Sequence, residues 1–534
     1  MPKLTIYSEQ KKHEVEFNVE KTVLECIQSL GLTFHAPCGG KGNCKKCSVD
    51  VEYIGNFEAN TTGKPHGIPE ANATGKPHGI SEANATVTQT TFLACQVMAK
   101  DGMIVFLRKE DNDAMSIDVE GTKTLWTPTP DATGLGIAFD LGTTTLAARL
   151  IDMRNGNILA QSARVNPQTV FGADVISRID ASMTGKLPEM TACIREALIG
   201  LIDELLQQHE SESRAFLEIN KIVLAGNTVM QHIFCSMPPD SIGVAPFTPL
   251  SLFGDNHTIN ELPVPLFMAP CIGSYVGGDI SCGMLVSQMD DTSSGTGILV
   301  DLGTNGELAL CHNGRIICCA TAAGPVFEGA NIRYGMPALP GAINAVFHEN
   351  GRLRLETIAN ASASGFCGTG IIDIVAHLVN MGIVDETGMM SSSGFDGLGL
   401  LDGHPAFYPL PNSDICITQE DIRNLQLGKS AIMAGIRVLL EAANVTVDEI
   451  RFLHIAGGFG KKLNLKSAAR IGLFPIELLD RASAIGNSCI EGASAALVST
   501  EAMQRLLAIP KQCEYIELST SASFNMHFMQ EMMF

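Results

Sequence analysis

The stretch GIAFDLGTTTLAARL at residues 136–150 recurs, without a gap, as GILVDLGTNGELALC at residues 297–311. Each copy has the pattern of an apolar strand that ends in an aspartate, a Gly-Thr turn and a second apolar strand. Two copies of one unit, separated by the length of a domain, predict two lobes of related fold that face one another. The apolar strands and long helical segments around them indicate a multidomain α/β architecture.

The two Gly-Thr turns also predict a phosphate site. A tight turn between strands exposes successive backbone N–H groups that can bind phosphate oxygens, and Gly142 and Gly303 permit such turns. The neutral side-chain donors beside them are Thr143, Thr144, Thr304 and Asn305. Asp140 and Asp301, at the strand ends, would be repelled by phosphates unless a divalent cation, Mg²⁺, lay between.

A third segment, HIAGGFGKKLN at residues 454–464, has the pattern of a strand that runs into glycines before a helix. This segment contains three glycines, Gly457, Gly458 and Gly460. Because glycine has no side chain, they leave space for a flat adenine or a ribose. Neither a complete Walker A motif nor a complete dinucleotide fingerprint is present. The run Gly428-Lys429-Ser430 matches the end of a Walker A motif, but Arg423 stands where its first glycine belongs.

The N-terminal region carries a separate cysteine motif. Its members, Cys38, Cys44, Cys47 and Cys95, have the spacing C-x5-C-x2-C…C, one residue longer in the first gap than the plant-type [2Fe–2S] loop. The glycines between the first two cysteines suit a loop that wraps closely around a cluster. A structural zinc site and inert thiols are the alternatives, and zinc sites usually combine two close cysteine pairs where this motif has one.

These motifs divide the chain into segments. We expect a [2Fe–2S] ferredoxin-like domain over residues 1–112, a linker over 113–133, and two nucleotide-binding lobes over 134–296 and 297–534. The dodecapeptide EANTTGKPHGIP and its copy EANATGKPHGIS belong to an insertion over residues 58–86. Because this insertion has almost no large apolar residue, it is predicted to be a solvated loop away from the cluster.

Composition narrows the classes of function. The chain has 534 residues and a formal charge of −21, which argues against a nucleic-acid binder that follows phosphates with cationic side chains. The N-terminus lacks the apolar core of a signal peptide, and no run approaches about 18 apolar residues. We therefore expect a cytoplasmic protein without a membrane partner. In that reducing compartment, the cysteines outside the motif are expected to pack in the core.

The three nucleotide motifs resemble, in order and spacing, those of the superfamily of acetate and sugar kinases, heat-shock chaperones and actin (ASKHA). With the cysteine motif added, the chain resembles the reductive activators of corrinoid-dependent methyltransferases. Further segments that resemble this family are NPQTVFGADVISRI (166–179), LAGNTVMQH (224–232), AAGPVFEGANIRYGMPALPGAI (322–343) and GNSCIEGASAA (486–496). The resemblance extends over nearly the whole chain, and the dodecapeptide repeats depart from it.

The resemblance implies a fold and a function. The fold would be an N-terminal β-grasp-like ferredoxin domain followed by a two-lobed, actin-like ASKHA ATPase. The function would be ATP-dependent delivery of one electron from the [2Fe–2S] cluster to a corrinoid protein, converting cob(II)alamin to cob(I)alamin. Asp140 and Asp301 would hold Mg²⁺ and orient water. The implied partners are the corrinoid protein and a cellular low-potential electron donor, with a homodimer left open.

Other functions stay open at this stage. The chain could be a small-molecule kinase with a redox-sensing cluster, or an electron-transfer protein whose lobes only sense nucleotide. An activator of a radical dehydratase is less favoured, because such proteins resemble chains with a cluster shared between subunits. Asp279 and Glu328 adjoin glycines and could line the cleft. Acidic residues on solvated loops are more common, so both are left outside the predicted site.

Overall fold

The computed structural model describes the following residues: 2–8, 11–17, 21–30, 47–52, 89–107, 123–124, 126–130, 132–209, 219–349, 352–458 and 462–534. Several predicted features lie outside these ranges: Cys38, Cys44, Gly460, the insertion at 58–86 and most of the linker. By its contacts the chain divides into two units, one of residues 1–112 with 169–173 and the other of residues 113–168 with 174–534.

The first unit is built on a five-stranded sheet. Its strands are β1 (Lys3–Ser8), β2 (Lys11–Glu16), β3 (Ser48–Glu52), β4 (Gln89–Leu93) and β5 (Ile104–Leu107). The strand order is β2-β1-β5-β3-β4, and β1 and β5 are parallel neighbours. Helix α1 (Val23–Ser29) begins at a capping box of Thr22 and Glu25 and shares one core with Leu4 and Ile6. This order is the β-grasp arrangement that the family resemblance implies.

The second unit begins with a six-stranded sheet. Its strands are β6 (Leu135–Leu141), β7 (Thr145–Asp152), β8 (Asn157–Val165), β9 (Ile219–Gly226), β10 (Asn256–His257) and β11 (Leu266–Met268). The order is β10-β11-β9-β6-β7-β8. Strands β6, β7 and β8 are antiparallel, whereas β9 runs parallel to both β6 and β11. The first Gly-Thr turn therefore joins two apolar, antiparallel strands, as predicted.

The remaining strands form a second large sheet and two small ones. They are β12 (Gly297–Leu302), β13 (Gly306–His312), β14 (Arg315–Thr321), β15 (Ala342–Glu349), β16 (Arg352–Thr357), β17 (Gly365–Phe366), β18 (Leu398–Leu401), β19 (His404–Phe407), β20 (Ile417–Thr418), β21 (Phe452–Gly457), β22 (Ala482–Gly486) and β23 (Cys513–Ile516). The large sheet has the order β22-β21-β12-β13-β14-β23. The small sheets have the orders β16-β15-β17 and β18-β19-β20.

The two large sheets repeat one topology. The antiparallel run β6-β7-β8 corresponds to β12-β13-β14, and the parallel neighbours β9 and β11 correspond to β21 and β22. In both sheets the Gly-Thr turn follows the strand at the border between the parallel and antiparallel halves. The duplication that the repeated motif predicts is therefore confirmed.

Helices cover these sheets. In the second unit they are α2 (Val175–Ala181), α3 (Leu187–Gln208), α4 (Thr228–Phe234), α5 (Gly278–Val286), α6 (Gly368–Asn380), α7 (Gln419–Ala443), α8 (Leu465–Arg470), α9 (Ser488–Val498), α10 (Thr500–Gln512) and α11 (Ala522–Gln530). The Walker-like run at residues 428–430 lies inside α7, where Lys429 is buried and donates to the carbonyl oxygen of Met533. None of the helices in the described ranges combines the length and apolar character needed to cross a membrane.

Helix α9 joins the two large sheets. It packs closely on α5, because a Cβ on Gly492 would lie 2.4 Å from the Cβ of Cys282. It also packs on β6 and β9, and its Glu491 carboxylate lies 2.7 Å from the guanidinium of Arg149 on β7. The ammonium group of Lys221 on β9 donates to a carbonyl oxygen of α9 at 2.7 Å. A helix from the C-terminal part of the chain therefore covers one face of the first large sheet.

The Arg149–Glu491 pair gives a test of this connection. The Arg149 side chain is 2% exposed, so the substitution Glu491→Ala leaves a buried charge without its partner. We expect the free energy of unfolding to fall by about 3–5 kcal/mol, measured by urea unfolding followed by circular dichroism. The exposed Glu196 on α3 provides the control, because Glu196→Ala should stay within about 0.5 kcal/mol of the parent protein. Equal unfolding midpoints for the two variants would contradict the prediction.

Candidate functional site

The two Gly-Thr turns face one cavity of about 190 Å³ in the second unit. The turn between β6 and β7 and the turn between β12 and β13 both line it, because the two sheets present equivalent edges to the same space. The predicted residues along its wall are Asp140, Gly142, Thr143, Thr144, Asp301, Gly303, Thr304, Asn305, Gly457 and Gly458. The structure thus brings together every predicted nucleotide-site residue that it describes.

Gly457 illustrates why the predicted adenosine segment is rich in glycine. It lies at the end of β21, opposite Leu302 in the parallel pairing with β12, and its φ is +135°. A Cβ at this position would lie 2.4 Å from the carbonyl oxygen of Leu302. A side chain is therefore excluded, and the backbone of β21 approaches the end of β12 closely.

Buried polar side chains hold the first Gly-Thr turn, between β6 and β7, in place. A guanidinium N–H of Arg178 on α2 donates to the carbonyl oxygen of Thr143 at 2.6 Å. The side-chain amide of Asn227 donates to the Thr143 hydroxyl at 2.9 Å, while its oxygen caps the N-terminus of α4. Burial lowers the pKa of Arg178 to about 10, so the guanidinium stays charged at neutral pH. These hydrogen bonds thus fix the conformation of the turn.

Asp140 is hydrogen-bonded by side chains at the start of α9. The side-chain amide of Asn487 donates to its Oδ2 at 2.6 Å, and the amide oxygen of Asn487 accepts from the backbone N–H of Ile490 at 3.0 Å. Asn487 is the N-cap of α9, so the helix that joins the two sheets also orients this carboxylate. Burial raises the pKa of Asp140, and the hydrogen bond from Asn487 opposes that rise.

The cavity holds three further carboxyl groups, from Asp279, Glu307 and Glu328. Burial, together with repulsion by neighbouring carboxylates, raises the pKa of Asp301 to about 8. Burial likewise raises the pKa of Asp279 to about 7 and the pKa of Glu307 well above its usual range. Carboxylate oxygens in such a group are the donors that Mg²⁺ prefers, with phosphates and water as its other ligands. These donors therefore suit a divalent cation that also binds phosphates, since within the described residues no three carboxyl, thiol or imidazole groups are arranged to hold a metal by themselves.

Glu328 connects the two turns directly. Its Oε2 accepts a hydrogen bond from the hydroxyl of Thr144 at 2.9 Å and from the hydroxyl of Thr304 at 2.8 Å. The two hydroxyl oxygens are 3.2 Å apart. Burial raises the pKa of Glu328, and the hydrogen bonds from the two threonines oppose this. A single carboxylate oxygen thus bridges the two predicted phosphate turns.

Two sequence interpretations need correction here. Asp279 and Glu328 were expected on solvated loops and outside the site, yet both side chains line the cavity. Asp279 lies in the first turn of α5, and Glu328 ends a 3₁₀ turn, Pro325–Glu328, shortly after β14. Both positions follow from the strand order, which a local pattern of acidic residue beside glycine does not reveal.

Other contributing residues were missed by sequence reasoning. Arg178, Asn227 and Asn487 each lie in a segment that we quoted for its resemblance to a family, and none was given a role. Cys367 and Cys489 also line the cavity, although we expected cysteines outside the motif to serve only the core. For most of the others, including Cys26, Cys318 and Cys319, burial agrees with that expectation.

The first unit brings together two of the four predicted cluster ligands. Cys47 directly precedes β3 and Cys95 follows β4, and the antiparallel pairing of these strands places the two sulfur atoms 3.2 Å apart. Both cysteines are buried. The hydrogen bond with the Cys95 thiol lowers the pKa of Cys47 to about 6, which favours a thiolate. Two adjacent thiols from distant segments fit two ligands of one metal centre, either a [2Fe–2S] cluster or zinc.

Comparisons with known proteins agree with this architecture. Residues 135–292 match the RACo middle region, and residues 295–534 match the C-terminal domain of RACo, the ASKHA domain. The corrinoid activation enzyme RamQ of Eubacterium limosum is 29% identical over 98% of each chain. The [Co(II) methylated amine-specific corrinoid protein] reductase of Methanosarcina barkeri is 22% identical over 74% of this chain and 76% of its own.

A solved structure extends the similarity to the three-dimensional level. The reductive activator for corrinoid, iron-sulfur protein superposes with a TM-score of 0.69 and 26% sequence identity, covering 100% of this chain and 98% of its own. The family resemblance and the ASKHA fold predicted from the motifs are thereby confirmed. This chain carries the RACo middle region and the RACo C-terminal ASKHA domain, and it is homologous to the corrinoid activation enzyme RamQ and to the reductive activator for corrinoid, iron-sulfur protein.

Proposed function

We propose that this protein is an ATP-dependent reductive activator of a corrinoid protein. It delivers one electron from a [2Fe–2S] cluster and converts cob(II)alamin to cob(I)alamin in a methyltransferase system. The observation that carries the proposal is the acidic cavity faced by both Gly-Thr turns, in a chain that is similar over nearly its full length to a corrinoid activation enzyme. This reaction uses both a redox centre and an ATPase, which explains why one chain carries the two.

The nucleotide roles follow from the cavity wall. Asp140 and Asp301 would hold Mg²⁺ and orient the attacking water, because they lie near the ends of the equivalent strands β6 and β12 and line the same cavity. The backbone of the turns at Gly142 and Gly303 binds phosphate oxygens. The side-chain donors to phosphate are Thr143, Thr144, Thr304 and Asn305. The adenosine moiety lies against Gly457, Gly458 and Gly460. A bound cation also offsets the repulsion among the buried carboxylates.

The cluster roles fall to Cys38, Cys44, Cys47 and Cys95. The contact between the Cys47 and Cys95 sulfurs, and the low pKa of Cys47, support two of these ligands. When bound, a plant-type [2Fe–2S] cluster supplies single electrons at about −400 mV. The burial of both sulfur atoms keeps water away from this side of the centre.

The energetics explain why ATP is needed. Cob(II)alamin without a change of axial ligand is harder to reduce than such a cluster. For the transfer of one electron, each uphill step of about 59 mV lowers the equilibrium constant by a factor of ten. A shortfall of roughly 100–200 mV is therefore about 2–5 kcal/mol, within the range of nucleotide coupling. ATP closes the two lobes and favours the complex in which cobalt accepts the electron, and hydrolysis releases the corrinoid protein.

The remaining features of the proposal concern partners and location. The partners are a corrinoid protein and a cellular low-potential electron donor. A homodimer and a cytoplasmic location stay predictions from the sequence, to be tested by light scattering and by fractionation. The boundaries 113–133, 134–296 and 297–534 also stay predictions.

Electron transfer is the direct test of the function. The full chain, reconstituted and reduced anaerobically, is mixed with a corrinoid protein in the cob(II)alamin state, with and without Mg·ATP. We expect cob(I)alamin, followed by its visible absorbance, to accumulate only when ATP is present, because the transfer is uphill without it. Equal yields in the two samples would reject the coupling. ATP-dependent phosphorylation of a small metabolite would instead favour a kinase.

The cysteine ligands are tested by substitution. Cys47→Ser and Cys95→Ser should remove bound iron and visible absorbance after anaerobic reconstitution, since each replaces a soft thiolate by a hydroxyl. Iron and sulfide analysis and electron paramagnetic resonance measure the loss. Cys26→Ala, in α1 of the same unit, should keep the cluster. Parent protein that binds zinc in place of iron would contradict the assignment.

The two predicted Mg²⁺ ligands are tested separately. Asp140→Asn and Asp301→Asn should each lower the rate of phosphate release from ATP by at least about 100-fold, because the cation loses a charged ligand. Asp203→Asn, at an exposed position on α3, should leave the rate unchanged. Thermal unfolding should show the two site variants to be as stable as the parent or more so, since each replaces a buried carboxyl group, which burial destabilises in its ionised form, by a neutral amide of the same shape. Parent-like hydrolysis in either variant would contradict its role.

A further inference from the structure

The hydrogen bonds of Glu328 place a carboxyl oxygen between the two phosphate turns. Oε2 accepts from Thr144, which follows β6, and from Thr304, which follows β12, at 2.9 and 2.8 Å. Both hydroxyls therefore donate to the same carboxylate oxygen. A phosphate oxygen that bound the same two hydroxyls would occupy the place of this carboxylate oxygen.

The strand order indicates which phosphate this would be. Gly457 ends β21 and Gly458 follows it, on one side of β12 in the large sheet. Glu328 comes after β14, two strands away on the other side. A nucleotide whose adenosine lies at the glycines extends its phosphates along this edge toward Glu328. The terminal phosphate is the one that reaches the carboxylate.

The carboxylate can leave without unfolding its surroundings. The preceding residues Val326 and Phe327 are buried in the core and fix the backbone of the 3₁₀ turn. The side chain of Glu328 ends in the cavity, so rotation about its side-chain bonds is sufficient to free both threonines. Like charges also repel a carboxylate and a phosphate at contact distance, so the two exclude one another.

Resting on the proposed nucleotide function, we propose that Glu328 is a positioning residue that competes with the terminal phosphate for Thr144 and Thr304. Without nucleotide it ties the two turns together. A nucleoside triphosphate displaces it and takes over both hydroxyls, whereas a diphosphate leaves it in place. Glu328 thus lets the cavity distinguish nucleotides with a terminal phosphate from those without it. The acceptor that links the two turns is a carboxylate oxygen in one case and a phosphate oxygen in the other.

Binding calorimetry on the full chain tests this competition. The probes are Mg·AMPPNP, which is a non-hydrolysable triphosphate, and Mg·ADP. Glu328→Gln and Glu328→Ala should each lower the Kd for Mg·AMPPNP by about tenfold, because a charge-assisted competitor has been removed. The Kd for Mg·ADP should change by less than about twofold. The remote, exposed Glu420→Gln should alter neither affinity.

Several results would overturn the proposal. These are an equal change for the two probes, weaker binding of Mg·AMPPNP in both variants, and unchanged Mg·AMPPNP affinity combined with a large loss of ATP hydrolysis. The last result would make Glu328 a catalytic residue. Using Gln beside Ala guards against a cavity effect, and thermal unfolding checks that each variant is folded. Failure of the parent protein to bind either probe would reject the nucleotide function itself and is thus distinguishable.

Discussion

The burial of five carboxyl groups in one cavity is the constraint around which the site in the second unit is arranged. Five acidic side chains share one cavity, and burial raises the pKa of each. Neutral donors satisfy them where geometry allows, as Asn487 does for Asp140 and the two threonines do for Glu328. A divalent cation together with phosphates changes this balance, so binding and conformation are linked through the same charges. The same buried carboxyl groups therefore affect both what the cavity binds and how its turns are held.

The parts of the fold that could be predicted are those encoded by local pattern. Strand, turn and strand lie within fifteen residues in each copy of the Asp-Leu-Gly-Thr motif, so alternation and turn chemistry are enough to define them. The N-terminal hairpin is equally local, with Leu4 and Ile6 facing the core. The β-grasp order of the first unit came from family resemblance, because no local pattern specifies that β1 pairs with β5.

The missed parts depend on contacts between distant residues. Asn487 and Asp140 are 347 positions apart, and Glu328 and Thr144 are 184 positions apart. In sequence, Glu328 is an acidic residue beside glycine, the same pattern that a solvated loop shows. Its burial follows from the place of β14 in the sheet, and that place is set by packing of the whole unit. Arg178 was missed for a similar reason, because it donates to the backbone carbonyl oxygen of Thr143, 35 positions away.

The position of α9 has a consequence for how the chain matures. Its residues cover the apolar surface of β6 so closely that a Cβ on Gly136 would lie 2.8 Å from the side chain of Leu497. During synthesis, the first large sheet emerges from the ribosome hundreds of residues before the helix that seals it. The apolar surface of β6 therefore stays uncovered until α9 has been synthesised, and apolar surface exposed during synthesis is prone to aggregation.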